Sequence, residues 1–336
     1  GADGDQDDAP PLIDWQALED ADRVQHNPDA NDEDTAFAGG SKELQPGEWG
    51  LTTEPGGVDP AKSNIRDAWS AVDQPAADTF VYLGFTREAS TGTTFLTFEL
   101  NHDGRLWDNG RASIPCRRTG DLLVSYEQLG DSVRAVIRRW TTVESDTRTG
   151  CASTGRLNTF RELEANDDVQ AAMNADAITS RLPGAITGTV PAGRFGEAAL
   201  NLSQLLEQAF GEQCMAFNSV WMHTRSSDSE SSNMQDYVAP RSLDVWTCTA
   251  SGTKFFDRNA NGQRDPEDPG IPRFQIWADY DNDGARDDIE PFAITDDEGQ
   301  YVINDIRPPN GTYMLRETLL TASARRRAAA ADVSCS

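Results

Sequence analysis

The sequence predicts an all-β protein in two parts: a large antiparallel sandwich or jelly-roll-like domain, then a small β-sandwich. Three observations carry this. Short runs rich in β-branched and aromatic residues recur from Thr79 to Trp246 and again from Gly252 to Arg316. Clusters of Gly, Pro, Asn and Asp separate those runs. Helical periodicity is credible at one place only, Gln204–Phe210, where Ser203 can cap the start and Gly211 can end it. The 336 residues allow two domains, and the pattern changes near residue 250. The expected division is an extended acidic arm over 1–14, a β-rich head over 15–249 and a smaller domain over 250–336.

In the head, the strands expected are Thr79–Thr86, Thr94–Leu100, Leu122–Glu127, Ser132–Thr141, Phe217–His223 and Tyr237–Trp246. Several have two distinct faces, as where Phe95, Thr97 and Glu99 oppose Leu96, Phe98 and Leu100. Many strands with polar connections favour an antiparallel sandwich. Trp69, Trp107, Trp140, Trp221 and Trp246 are expected to fill its core rather than to form a sugar platform. In the smaller domain, Gly252–Phe256, Pro272–Trp277, Phe292–Ile294, Gln300–Ile303 and Thr312–Arg316 read as strands, divided by Asp297-Glu-Gly299 and Pro308-Pro-Asn-Gly311.

Between those strands lie the segments that carry chemistry. Residues 279–290 fill each ligand slot of a twelve-residue calcium loop: Asp279, Asp281, Asp283 and Asp287 at positions 1, 3, 5 and 9, the Ala285 carbonyl at 7, and Glu290 at 12. Gly284 stands at position 6, where such a loop turns sharply. Ca²⁺ takes six to eight hard oxygens, and this spacing wraps one short segment around the ion. Upstream, 257–268 repeats the scheme with Asp257, Asn259, Asn261, Gln263, Asp265 and Asp268, again with glycine, Gly262, at position 6. Asp268 replaces Glu at position 12; either its shorter arm binds through one oxygen, or Glu267 takes its place. The competing reading is a pair of solvated acidic turns, and two phased copies so close together weaken it. The flanking runs are strands, so the helix-pair opening of a calcium sensor is not expected.

Several motifs fall in a familiar order: Lys254-Phe-Phe-Asp257, Asn261-Gly262, Asp265, Pro269-Gly-Ile271, Thr295-Asp-Asp-Glu-Gly299-Gln-Tyr301 and Gly311-Thr-Tyr313 with Glu317. Residues 250–320 thereby resemble the B-type, prealbumin-like repeat of Gram-positive surface adhesins. The resemblance implies a seven-stranded, calcium-rigidified stalk segment, with Asp296 as an extra ligand. Some relatives carry a Lys–Asn isopeptide crosslink promoted by a buried Glu, and Lys254 and Glu317 stand where that Lys and Glu would be. No Asn is evident in a last strand, which argues against the crosslink. In the head, Asp34–Glu43, Phe195–Leu200 with Leu202, Arg225–Asp228 and Asp236–Pro240 resemble an uncharacterised amino-terminal module of actinobacterial surface proteins. That implies a cell-surface location and no established activity.

Composition excludes several classes. The formal net charge is −27, which opposes nucleic acid and anionic membranes as partners. No run reaches the roughly 20 apolar residues that span a bilayer, so no direct membrane insertion is expected. The acidic start reads as a terminus exposed by signal-peptide removal, and the chain is expected to be secreted or at a cell surface. An oxidising compartment makes disulfides the default. Cys116 with Cys151 and Cys214 with Cys248 bracket pairs of strand-like runs and are expected to bond, leaving Cys335 odd. The acidic clusters Asp3–Asp8 and Asp29–Asp34 read either as further calcium sites or as solvated ends.

Catalytic signatures are missing: the sequence holds no G-x-S-x-G, P-loop or H-E-x-x-H, and its three histidines, His26, His102 and His223, are scattered. Glu99 and Glu127 lie on expected strands, as glycosidase carboxylates on jelly rolls do, but acidic residues on exposed strand faces are ordinary in so acidic a chain. The function expected is therefore that of an extracellular structural or adhesive protein with Ca²⁺ as cofactor, either engaging a surface or host ligand or self-associating into a fibre. For the fibre, Asp5–Trp15 is the arm expected to dock on a neighbour. A carbohydrate-binding module and, less favoured, a secreted glycoside hydrolase are the alternatives.

Overall fold

The structure is a computed structural model, and it describes residues 6, 14–29, 35–52, 61–74, 78–90, 92–129, 132–163, 169–184, 188–210, 215–246, 249–304, 306 and 313–319. The chain forms two compact units, one of residues 1–212 with 216–245, the other of residues 213–215 with 246–336. All the principal sheets are antiparallel, as the alternation of residue types predicts.

The larger unit is a sandwich of two sheets. One contains β1 (Val24–Pro28), β2 (Ile65–Asp73), β3 (Phe80–Arg87), β8 (Val169–Met173) and β9 (Phe195–Asn201), in the order β1-β2-β3-β9-β8. The other contains β4 (Thr94–Asn101), β5 (Leu122–Leu129), β6 (Ser132–Ser145), β7 (Ala152–Leu163), β10 (Ala216–Arg225) and β11 (Met234–Trp246), in the order β7-β6-β5-β4-β10-β11. Every head strand read from the sequence is present within a few residues, while β1, β2, β7, β8 and β9 were not read. The facing surfaces are apolar: Phe85 of β3 meets Phe98 of β4 at 6.4 Å and Tyr126 of β5 at 5.2 Å between ring centroids. Such aromatic pairs add about 0.5–1.5 kcal/mol each beyond area burial.

Both outer faces of the sandwich are also covered. On the five-stranded sheet a short helix, Trp15–Asp20, packs Trp15 and Leu18 against Trp69, Tyr82 and Phe195. Over the six-stranded sheet lie residues 36–52 and 106–116, whose Phe37, Trp49, Trp107 and Ile114 join Trp221 and Met234 in one cluster. The Cys116–Cys151 disulfide expected from spacing closes beneath this cover, with Cα atoms 5.0 Å apart. The proposed Cys214–Cys248 pair lies outside the described residues, as does Cys335.

The helix expected at Gln204–Phe210 begins at Leu202. Its first turn is capped by Asn201, whose Oδ1 accepts from the Gln204 amide at 3.1 Å. Ser203 Oγ instead accepts from the Thr79 amide at 3.0 Å, because that hydroxyl faces the neighbouring connection rather than its own turn.

The cover corrects one expectation. Phe95 is half-buried, and Thr97, Glu99 and Glu127 are fully buried. Glu99 accepts from Arg117 Nε at 2.8 Å and Nη2 at 2.5 Å, and Arg117 also reaches Glu43 at 2.6 Å. The Arg117 guanidinium lies 4.7 Å from the ring centres of Trp49 and Trp140 and 5.8 Å from that of Trp221. Glu127 is held by Arg134 at 2.5 Å. Neither carboxylate lines a cleft.

The smaller unit holds a two-stranded sheet of β12 (Ala250–Thr253) with β15 (Gln300–Ile303). It also holds a three-stranded sheet in which β13 (Phe274–Asp279) lies between β14 (Phe292–Ile294) and β16 (Met314–Leu319). Ala250, Ile276, Ala278, Ile303 and Ile306 are its buried core. Beside these five strands, an isolated bridge joins Phe255 to Gly270.

Arg117→Met is expected to strip Glu99 of its buried countercharge, to leave Glu43 with His223 and Arg225, and to cost about 3–5 kcal/mol. Urea unfolding followed by tryptophan fluorescence measures this, and a loss under about 1 kcal/mol would be incompatible with the pairing described.

Candidate metal centre

Both twelve-residue segments are connections between strands, and each is pinched at its base in the same way. The amide just before position 1 donates to the carbonyl of the proline just after position 12: Phe256 to Pro269 at 2.9 Å, and Ala278 to Pro291 at 3.0 Å. The sequence signal for this closure is the paired proline, which the ligand spacing alone did not bring out.

Inside the pinch the two loops share one bonding scheme. The position 12 carboxylate accepts the amides of positions 2 and 9: Asp268 from Arg258 (3.1 Å) and Asp265 (3.0 Å), Glu290 from Tyr280 (2.7 Å) and Asp287 (2.9 Å). Position 1 accepts the glycine amide of position 6, Asp257 from Gly262 at 2.8 Å and Asp279 from Gly284 at 3.1 Å. Position 3 accepts the amide of position 5 at 3.1 Å in both, through Asn259 and Asp281. Position 5 accepts the amide of position 7 at 2.7 Å in both, through Asn261 and Asp283. Gly262 and Gly284 have φ of 76° and 79°, a left-handed conformation that costs an L side chain roughly 1–2 kcal/mol. Asp268 thus makes with a shorter arm the bonds Glu290 makes, and Glu267 is exposed.

The loops differ in charge and in what reaches them. In 257–268, the side-chain amides of Asn259 and Asn261 donate to Asp265 at 2.7 and 2.8 Å. In 279–290, Asp279, Asp281 and Asp283 each offer one oxygen, and these lie within 4.8 Å of one another. Two oxygens on one Ca²⁺ at 2.3–2.6 Å stand at most about 5.2 Å apart, so these donors fit a hard cation of that size. Asp279 is fully buried and Glu290 nearly so, while Asp281, Asp283, Ala285 and Asp287 face solvent. A cation would therefore enter from the solvent side onto an inner carboxylate.

Sequence reasoning missed Arg316. Its Nε donates to Asp279 Oδ2, and its Nη2 donates to Asn282 Oδ1 at 2.6 Å. Burial pushes the Asp279 carboxyl up, but Arg316 and the amides of Gly284 and Asn282 outweigh it and hold it below the usual aspartate range. The amides of Asp265 and Arg258 hold Asp268 low in the same way. At Asp281 the Asp283 amide pulls down, yet desolvation and the carboxylates of Asp283, Asp279 and Glu290 prevail and push it up. A carboxyl raised by like charges marks a place where positive charge is wanted.

Other candidates lie elsewhere. Asp296 Oδ1 accepts from Glu298 at 3.0 Å and Gln300 at 2.7 Å, capping its own turn outside the group of three aspartates. Lys254 and Glu317 do meet, as an ion pair at 2.8 Å whose Glu is half exposed. The three histidines are apart, each on its own carboxylate: His26 on Asp67, His102 on Asp121 and His223 on Glu43. Trp69, Trp107, Trp140 and Trp221 are buried and Trp246 is half-buried, so the described residues present no tryptophan row for a sugar.

In the ion-free protein, Asp268 and Asp279 are expected to titrate below the ordinary aspartate value of about 3.9, and Asp281 above it. The depressed pair contributes stability that is present above that value and lost as pH falls through their folded pKa values; the raised Asp281 contributes in the opposite sense. Carboxyl-carbon NMR across an acid titration reads the order directly, and Asp281 titrating first from the acid side would contradict it.

A scan against protein-family models gives no match, and a search of curated proteins gives none.

Proposed function

We propose that this chain is an extracellular structural or adhesive surface protein: a β-rich head joined to a module stiffened by Ca²⁺ at 257–268 and 279–290. The observation that carries the proposal is the repetition of one loop design. Two segments of equal length share base closure, left-handed glycine and carboxylate–amide bonds, and every ligand position is held by an oxygen donor. The family resemblance of residues 250–320 points the same way. Sites of this kind in extracellular modules work at Kd values of about 10⁻⁴–10⁻³ M, matched to calcium-rich surroundings.

The mechanism is mechanical. An ion bound by positions 1 to 12 ties the end of one strand to the start of the next. It favours the folded loop over the unfolded chain by mass action, about 2.7 kcal/mol when the ion stands at 100 times its Kd. The ion supplies the positive charge; the chain supplies Asp279 and Glu290 from the buried side and the other donors from the solvent side.

In the same reading, Asp5–Trp15 is the segment proposed to dock on a neighbouring subunit of a fibre, although Trp15 is buried in the core of its own head. Gln6 is buried in its own chain, with Oε1 accepting from the Arg181 amide at 2.6 Å, so docking requires that this contact be exchanged. Deletion of residues 1–14 is expected to abolish filaments in electron micrographs; undiminished filaments would remove the arm from the proposal.

Calorimetric melting of the full chain tests the calcium reading. Calcium at 100 times its Kd is expected to raise the transition of the smaller unit on the order of 10 °C over chelator and to leave that of the larger unit in place. Magnesium, which demands tighter octahedral geometry, is expected to do less. A smaller-unit transition indifferent to calcium would defeat the proposal.

A further inference from the structure

We propose that Arg316 is a resident counter-cation of the 279–290 loop: it neutralises Asp279 while the site is ion-free and must release that carboxylate when the divalent ion binds. This deepens the calcium reading and rests on it. Asp279 is the position 1 donor and has no exposure to solvent. A carboxylate so buried is costly without a positive partner. Arg316 provides one from outside the loop, across the sheet, where Trp277 and Arg316 are paired in the register of β13 and β16. Its second donor holds Asn282, the position 4 residue whose φ of 62° fixes the turn. One guanidinium thus grips both the first ligand and the bend that presents it.

Binding a dication to the same carboxylate places two cations within a few ångströms of each other, and their repulsion opposes loading. There is room for the guanidinium to move. Its side chain is 37 % exposed, and beside it lies a cavity of about 540 Å³ bordered by Gly284, Trp277, Leu315 and Arg316 itself. The other loop has no such partner at position 1: among the described residues Asp257 receives only the amides of Asn261 and Gly262. The consequence is a calcium site that keeps its shape when empty and gives up affinity to do so.

The test uses the full chain carrying Arg316→Gln or Arg316→Lys, titrated with calcium by calorimetry and melted in chelator. Arg316→Gln is expected to tighten one of two sites by about 5–10-fold, near the low end of ordinary coupling between ligands, and to leave the other unchanged. The same variant is expected to lower the melting temperature of the ion-free smaller unit. Arg316→Lys keeps the charge without the fork and is expected to fall between, and it carries the test if the Gln variant does not fold without calcium. Opposite signs on affinity and ion-free stability distinguish a competing cation from a structural arginine, whose loss would lower both. Wild-type affinity in both variants, or weaker binding, overturns the role of Arg316 and leaves the calcium reading standing. No calcium binding in the wild-type chain overturns both.

Discussion

A carboxylate taken out of water needs positive charge or donated protons, and this requirement governs both units. The chain has 56 acidic residues against 29 Lys and Arg. Lysine occurs only at positions 42, 62 and 254, so arginine does most of the neutralising. In the larger unit, the polar face of the six-stranded sheet is buried because guanidinium groups make that possible. Arg117 bridges Glu43 and Glu99 between three indole rings, and Arg134 holds Glu127. A planar fork suits this work better than an ammonium, since it bonds two carboxylates in its plane and offers its faces to tryptophan. The two glutamates are not equivalent. Burial raises both, but His223 and Arg117 prevail at Glu43 and bring it down, whereas burial prevails at Glu99 and keeps it high.

The smaller unit meets the same requirement with backbone amides. Positions 1 and 12 of each loop collect two amides, while position 3 collects one. In 279–290 this leaves uneven charge: the inner carboxylate is well satisfied, whereas Asp281 faces Asp283, Asp279 and Glu290 with a single amide in return. In 257–268, Asn at positions 3 and 5 removes two charges and turns two amides onto Asp265. One backbone design therefore carries two electrostatic designs, and the second loop gathers more negative charge than the first.

What was legible in the sequence divides by range. Turn spacing is local, so the two twelve-residue connections, their turning glycines and the strands around them were readable from Asp257 to Glu290. Cys116–Cys151 was readable because a disulfide joining the ends of two adjacent strand-like runs needs little tertiary knowledge. The faces of β4 were harder. Alternation showed that Phe95, Thr97 and Glu99 share a side, but only the distant segments 36–52 and 106–116 decide that this side is covered. The Asn201 cap went to the wrong residue because a serine beside a helix start is attractive until the neighbouring Thr79 amide is known. Arg316 was invisible for the same reason, since 37 residues separate it from Asp279 and no local pattern links them.

That separation is also what gives Arg316 its leverage. Had the countercharge come from within the loop, as the Asn amides do in 257–268, it would move whenever the loop moved. Instead it stands on β16, which pairs with β13 from Phe274–Leu319 to Asp279–Met314. Asp279, the last residue of β13, pairs with Met314 while Arg316 pairs with Trp277, so the two backbones from which carboxylate and guanidinium meet are fixed two rungs apart in one sheet. The base of the loop is fixed independently by the Ala278–Pro291 bond. On the proposed reading, a cation arriving from solvent would meet an inner donor bonded to Arg316 and outer donors bonded to the loop's own amides. Loading would exchange one cation for another at Asp279, with the solvent-side carboxylates supplying the remaining oxygens. The proposed gain in stiffness would then fall on the connection between β13 and β14, with the pairing of β13 and β16 left as it is.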